Sequence, residues 1–159
     1  RSTGEVMGWD RDFGRAFLKA QIGAGMKLPR KGCVFFSIKD KDKNDNLAET
    51  AQRLVKLGFN ITATRGTAVF LKGRNIPCKQ INKVYEGRPN IVDAMKNGEI
   101  DLVMNTTEGA QAVKDSREIR SVALHDKIPY FTTAAAAHAA ALAIQSQNDG
   151  DIIVKSLQN

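Results

Sequence analysis

The sequence predicts an α/β domain built on a doubly wound parallel sheet, and three observations predict it. Short apolar or β-branched runs alternate with longer amphipathic segments along most of the chain, the pattern of βαβ units with right-handed crossovers. The first such run, over 33–38, is apolar almost without interruption, as expected of a strand covered on both faces. Three runs also end in hydroxyls, amides and cations: Thr64-Arg65-Gly66-Thr67, then Asn82-Lys83-Val84-Tyr85-Glu86-Gly87-Arg88-Pro89, then Asn105-Thr106-Thr107.

Each element can be justified in order. Residues 1–30 do not read as the start of a domain. A helical segment over 10–22 carries Phe13, Ala16, Phe17 and Ala20 on one face that needs a partner, and 27–32, with Pro29 and three basic residues, reads as a linker. After the strand over 33–38, a helix over about 45–57 places Leu47, Ala51, Leu54 and Val55 on one side, with Gly58 suited to its end. A second strand ends at Thr64 and turns into a helix over about 67–72, with Gly66 allowing close backbone approach. The third strand is short, around 78–81, and Pro89 opens a helix to Asn97 that Gly98 ends. A fourth strand covers 101–104. Asp115 and Glu118 form a capping-box-like start for a helix to about Asp126. A fifth strand over 128–131 leads to Thr132 or Thr133, either of which caps an Ala-rich helix from Ala134 to about Gln147. That helix is apolar nearly all round and should lie close against the sheet. Residues 151–155 add a small terminal strand.

The totals narrow the function. With 159 residues, 42% hydrophobic and 26% charged, the chain fits one domain plus a short appendage. No apolar run approaches the roughly 20 residues of a membrane span, and residues 1–19 lack the apolar centre of a signal peptide, so a cytoplasmic location is expected. Cys33 and Cys78, each in a predicted strand, make neither a metal site nor a disulfide framework and read as small buried hydrophobes. The net charge of +7 is spread among mixed signs, as in Lys39-Asp40-Lys41-Asp42-Lys43, and two Tyr and one Trp offer little for base stacking. A small anion suits this charge better than nucleic acid or a membrane. No Walker A sequence and no dinucleotide fingerprint occurs. His125 and His138 lie on predicted helices without partners at ligand or triad spacing, and read as structural or solvent-facing.

In an open parallel sheet, ligands bind beyond the carboxyl ends of the strands, where helix N-termini present free N–H groups. Lys43 follows strand one, Thr64 and Thr67 follow strand two, Lys83 follows strand three, and Thr106 and Thr107 follow strand four. Taken singly, each lysine is a surface charge and each threonine a cap. Together they suit a phosphate monoester, bound through charge-assisted hydrogen bonds of about 1.5–3 kcal/mol each.

The set Ala63-Thr64-Arg65-Gly66-Thr67-Ala68, Asn82 through Pro89, and Asn105-Thr106-Thr107 resembles the C-terminal regulatory domain of the large subunit of bacterial carbamoyl-phosphate synthase, which is similar in fold to methylglyoxal synthase. The resemblance covers about 31–157. Ser2 through Gly8 together with 13–22 resemble the end of the preceding ATP-grasp synthetase half. It implies residues 1–30 as that tail and linker and 31–159 as a methylglyoxal-synthase-like domain: three layers around a five-stranded parallel sheet. It further implies a nucleoside monophosphate effector, with UMP as inhibitor and IMP as activator. The family's phosphate contacts fall on Lys43, Thr64, Thr67, Lys83, Asn105 and Thr107, with Thr106 beside them. Gly66, Arg88, Tyr130 and Thr132 are secondary candidates for effector contact. Ring contacts are expected from 109–111 and 117–120. Ornithine-binding members use a Tyr-acidic-Thr segment, whereas Tyr130-Phe131-Thr132 lacks the carboxylate that would pair the ornithine amine.

By the same resemblance this stretch does no chemistry and needs no cofactor of its own. The parent would make carbamoyl phosphate from bicarbonate, glutamine and ATP, with Mg or Mn and K, for pyrimidine and arginine biosynthesis. The expected partners are UMP or IMP, the rest of the large subunit, the glutaminase small subunit through it and, as an option, a second copy of the chain. The alternative is a methylglyoxal synthase-type lyase acting on dihydroxyacetone phosphate, which needs a carboxylate base. Where that enzyme would place its aspartate, this chain reads Glu86-Gly87-Arg88, and Lys114 stands near the position of its helical histidine.

Overall fold

A computed structural model describes residues 25–158, with side chains described as far as Gly150. The expected helix over 10–22 lies outside the described residues. Five parallel strands form one sheet: β1 (Gly32–Ser37), β2 (Phe59–Ala63), β3 (Lys79–Gln80), β4 (Leu102–Asn105) and β5 (Tyr130–Phe131), in the order β3-β2-β1-β4-β5. Five helices alternate with them: α1 (Asp45–Lys56), α2 (Arg65–Gly73), α3 (Ile91–Lys96), α4 (Ala110–His125) and α5 (Ala134–Gln158). Short 3-10 turns occupy Asp40–Asp42 and Val84–Glu86.

Strand pleating divides the core in two. Val34, Phe36, Ile61, Leu102 and Met104 face one way and pack with Leu47 and Leu54 of α1, Leu71 of α2 and the alanines of α5. Phe35 and Val103 face the other way, onto Ile91 and Met95 of α3 and Ile119 and Ala123 of α4. In register, Val34 stands beside Ile61 and Phe35 beside Val103. The continuous apolar run of β1 thus serves both layers, and each buried phenylalanine contributes about 1.5–3 kcal/mol. The Ala-rich face of α5 lies close against the sheet, with Ala139, Ala140 and Ala141 fully buried.

Several local expectations are corrected. Pro89 does not open α3. Asn90 does, accepting from the Val92 N–H at 2.9 Å while Asp93 Oδ2 accepts from the Asn90 N–H at 2.8 Å. The Asp115–Glu118 pair does not start a helix either. Gly109, at φ +93°, precedes a helix that is already in its second turn at Asp115, whose Oδ1 accepts from Gln111 Nε2. The three-residue spacing of a capping box also recurs inside any helix, so the motif marked the wrong turn. Thr133, rather than Thr132, caps α5 through the Ala136 N–H at 3.1 Å. That helix continues through 151–155, where a terminal strand was expected; a helix satisfies its backbone internally, whereas a strand needs a sheet edge. Cys78 lies just before β3, and both cysteines are free and only half buried.

Candidate functional site

The chain builds β1, β2 and β3 outward in one direction, then returns to lay β4 and β5 on the other side of β1. The carboxyl ends of β1 and β4 therefore diverge into helices on opposite faces, which leaves a crevice between them. A cavity of about 520 Å³ occupies that crevice. Lys43, Thr64, Gly66 and Thr67, which follow β1 and β2, line it together with Lys83, which follows β3, and Asn105, Thr106 and Thr107 at the end of β4.

Backbone hydrogen bonds fix the threonines. Thr67 Oγ1 accepts from the Ile38 N–H at 2.9 Å, and Thr106 Oγ1 accepts from the Lys39 N–H at 3.0 Å. Thr64 Oγ1 donates to Ser37 Oγ at 3.3 Å and lies 3.5 Å from Thr67 Oγ1. Thr64 is the N-cap of α2 without capping through its side chain, and the first intrahelical bond is from the Ala68 N–H to the Thr64 carbonyl. The N–H groups of Arg65, Gly66 and Thr67 thus begin α2 with no carbonyl of their own helix to bond, at the positive end of its dipole. Asn105 is steered from across β4: its Nδ2 donates to Ser116 Oγ and Tyr130 Oη, both at 2.9 Å.

Among the described residues four lysines line the cavity, Lys39, Lys41, Lys43 and Lys83, and the last two are held differently. Lys43 Nζ lies 2.5 Å from Asp40 Oδ1 and 3.1 Å from where a Cβ on Gly66 would stand. A side chain on Gly66 would press on the ammonium, which would have to give by a few tenths of an ångström. A hydrogen bond from Lys43, then its charge, keeps the Asp40 carboxyl below the usual carboxylate range. Lys83 starts the Val84–Glu86 turn, where its N–H donates to Glu86 Oε1 at 2.7 Å and its Nζ lies 5.9 Å from the Tyr85 ring centre. Half-buried Val84 and exposed Tyr85 add apolar surface to the same cavity, over a buried floor of Phe35, Ile91 and Ile119.

Not every expected residue reaches this wall. Arg88 is turned outward, with its guanidinium forked onto Asp93, and does not line the cavity. Thr132 is exposed and also stands off it. Tyr130 touches the site only through Asn105. Of the expected ring-contact segments, Gln111 and Ile119 are at the cavity, while Gly109, Arg117 and Arg120 are not. Glu86 is tied to the Lys83 N–H and stands off the wall, far from ideal for a general base. The sequence reading missed Ser37, hidden at the end of an apolar run, and Asp40, hidden in a mixed-charge run. It also missed Glu108, Ala112, Asp115 and Ser116, which line the cavity from α4 and its approach; locating the start of α4 at Gly109 would have found their one-turn spacing.

The remaining chemistry lies elsewhere. His138 is buried between α5 and α1, its Nδ1 3.1 Å from Thr50 Oγ1, and His125 is exposed beside Asp126. Among the described residues, no cluster of His, Cys, Asp or Glu could hold a metal ion, and no helix is long and apolar enough to cross a membrane.

Residues 46–132 match the model of the MGS-like domain family, and the chain belongs to that family. The whole chain also aligns with proteins called carbamoyl phosphate synthase large chain. It is 48% identical to the one from Brucella suis biovar 1 over 159 residues, which is 100% of this chain and 14% of that protein. The C-terminal section of the large chain from Methanopyrus kandleri is likewise 48% identical over 160 residues, covering 100% of this chain and 29% of the relative. The large chain of Archaeoglobus fulgidus is 47% identical over 158 residues, 99% of this chain and 15% of that protein. The chain thus spans less than a third of the length of these relatives.

Proposed function

We propose that this chain is the effector-binding domain of a carbamoyl-phosphate synthase large subunit, and that it takes a nucleoside monophosphate such as UMP or IMP in the cavity at the β1/β4 switch. The observation that carries this reading is the convergence of Lys43, Thr64, Thr67, Lys83, Asn105, Thr106 and Thr107 on one wall. A phosphate monoester is close to a dianion at neutral pH. It can accept from the first N–H groups of α2 and from the Thr64 and Thr67 hydroxyls while Lys43 and Lys83 balance its charge. Val84 and the exposed Tyr85 offer a place for a nucleoside beside the phosphate, and Gln111 a polar contact for it.

The domain itself performs no reaction in this reading. It alters the synthesis of carbamoyl phosphate by the rest of the subunit, where ATP, Mg or Mn, and K would act and where the glutaminase small subunit would dock. Regulation requires the effector to bind the active and inactive states with different affinity, commonly by about 1–3 kcal/mol. Residues 25–30 are the route out of the domain. Leu28 is buried in the core, and two successive amides of α5 hold the backbone at and just after it: Gln147 Nε2 donates to the Leu28 carbonyl and Asn148 Nδ2 to that of Arg30.

Isothermal titration of the chain with UMP, IMP, dihydroxyacetone phosphate and inorganic phosphate tests the reading. Saturable heats for a nucleotide, with the triose phosphate weak and unconverted, support it. Preference for the triose phosphate, with methylglyoxal forming in the cell, would transfer the chain to the lyase class.

A further inference from the structure

Asp40 places a carboxylate inside a site read as a receptor for anions. It begins the 3-10 turn that follows β1, and it lines the same cavity as Lys43 and Lys83. Its Oδ1 lies 2.5 Å from Lys43 Nζ, although its side chain is otherwise 96% exposed, against 18% for Lys43. The lysine is the fixed partner of the pair and the aspartate the one free to swing away.

The position of Lys43 explains why it holds an acid. Its ammonium stands over Gly66, in the first turn of α2, where the helix dipole is positive and a cation is disfavoured. Two sources of positive potential meet there, and an anion between or beside them relieves the repulsion. The Asp40 carboxylate is one such anion. A ligand phosphate would be another, and it would seek the same ammonium.

We propose that Asp40 is a built-in competitor of the ligand's phosphate for Lys43, and that it sets how tightly the site holds phosphate monoesters. The inference rests on the effector-site reading above. Asp40 takes one of the three N–H donors of the Lys43 ammonium and offsets its charge, so a phosphate at Lys43 meets a partly neutralised cation with a like charge beside it. Lys43, and more weakly Lys83, hold the Asp40 carboxyl below the usual range, so it remains ionised and competes at neutral pH. Glu108 and Asp115 also carry negative charge on the wall, but Asp40 is the acid seen bonded to a phosphate-site lysine.

The test is isothermal titration of the full 159-residue chain with UMP, IMP and inorganic phosphate at low ionic strength, for the wild type, D40N, K43M and the double variant. Because exposed ion pairs are weak, D40N should lower Kd by about two- to fivefold, a gain that shrinks as salt is added. In the K43M background the same change should have much less effect, because the contested ammonium is gone. Unchanged or weaker binding by D40N, with the wild type still binding, overturns the inference and leaves the effector reading standing. A D40N gain that persists undiminished beside K43M overturns it too, because the competition would not then run through Lys43. A wild type that binds none of the three ligands overturns both the inference and the reading beneath it.

Discussion

At the scale of single residues, the proposed site separates groups that hold a ligand from groups that hold the fold. Lys83 projects from a surface turn, so Lys83→Ala should weaken nucleotide binding by about tenfold, the loss of one charge-assisted hydrogen bond, while the melting temperature stays within a degree or two. Titration and calorimetry on the same sample check both halves. Gly66→Ala divides the two properties more sharply. In the first turn of α2, alanine should leave stability unchanged or raise it by up to about 1 kcal/mol. Its Cβ would stand 3.1 Å from Lys43 Nζ, displacing the ammonium and weakening phosphate binding. Equal losses of stability and affinity would contradict this account of Gly66.

His138 makes a prediction about pH. Burial pushes its pKa down from the ordinary 6.5, with Glu49 opposing and Arg53 reinforcing the shift. The folded state therefore favours neutral imidazole, and the unfolded chain binds the proton more readily. Its contribution to stability is fully present above the unfolded value and is lost as pH falls from about 6.5 toward the lower folded value. Denaturant midpoints between pH 8 and 5 should fall in the wild type, and fall less in His138→Gln. The polar strand-end residues were legible because few structural roles call for hydroxyls and lysines at three successive strand ends. Arg88 misled because a neighbouring carboxylate, Asp93, claims its guanidinium. Asp40 was invisible in sequence because alternating charges ordinarily mean a solvated surface.

At the scale of elements, β1 and β4 were readable from apolar runs, since burial on both faces leaves few polar positions, and β2 from its β-branched Ile61 and Thr62. The helix starts were harder. Asn90, at 6% exposure, caps α3 with a reciprocal Asp93 bond that no hydrophobic periodicity announces. Asn90→Ala should cost about 0.5–2 kcal/mol, measured as a shift in the urea midpoint without change in slope. An effect under a few tenths would mean that the cap is not what begins α3. The start of α4 at Gly109 matters most for the site, because it turns Gln111, Asp115 and the Ser116 hydroxyl toward the cavity.

For the whole molecule, the sheet order follows from the crossovers. Helices α1 and α2 cover one face as the chain moves outward, and α3 and α4 cover the other as it returns, so a crevice at β1 and β4 is unavoidable. The net charge of +7 then gives the site its long-range pull. Nucleotide affinity should fall as ionic strength rises from 0.02 to 0.3 M, since the Debye length shrinks from roughly 20 Å to 6 Å. Affinity independent of salt would point to stacking on the apolar wall instead of phosphate capture.

The central claim is that the phosphate of a nucleoside monophosphate sits against the first turn of α2, and a crystal structure of the chain with UMP or IMP tests it most directly. The account predicts phosphate oxygens within hydrogen-bond distance of the Gly66 and Thr67 N–H groups and of Lys43 or Lys83, with the base toward Gln111 and Tyr85. A nucleotide bound outside this cavity, or one whose phosphate lies away from α2, would contradict it.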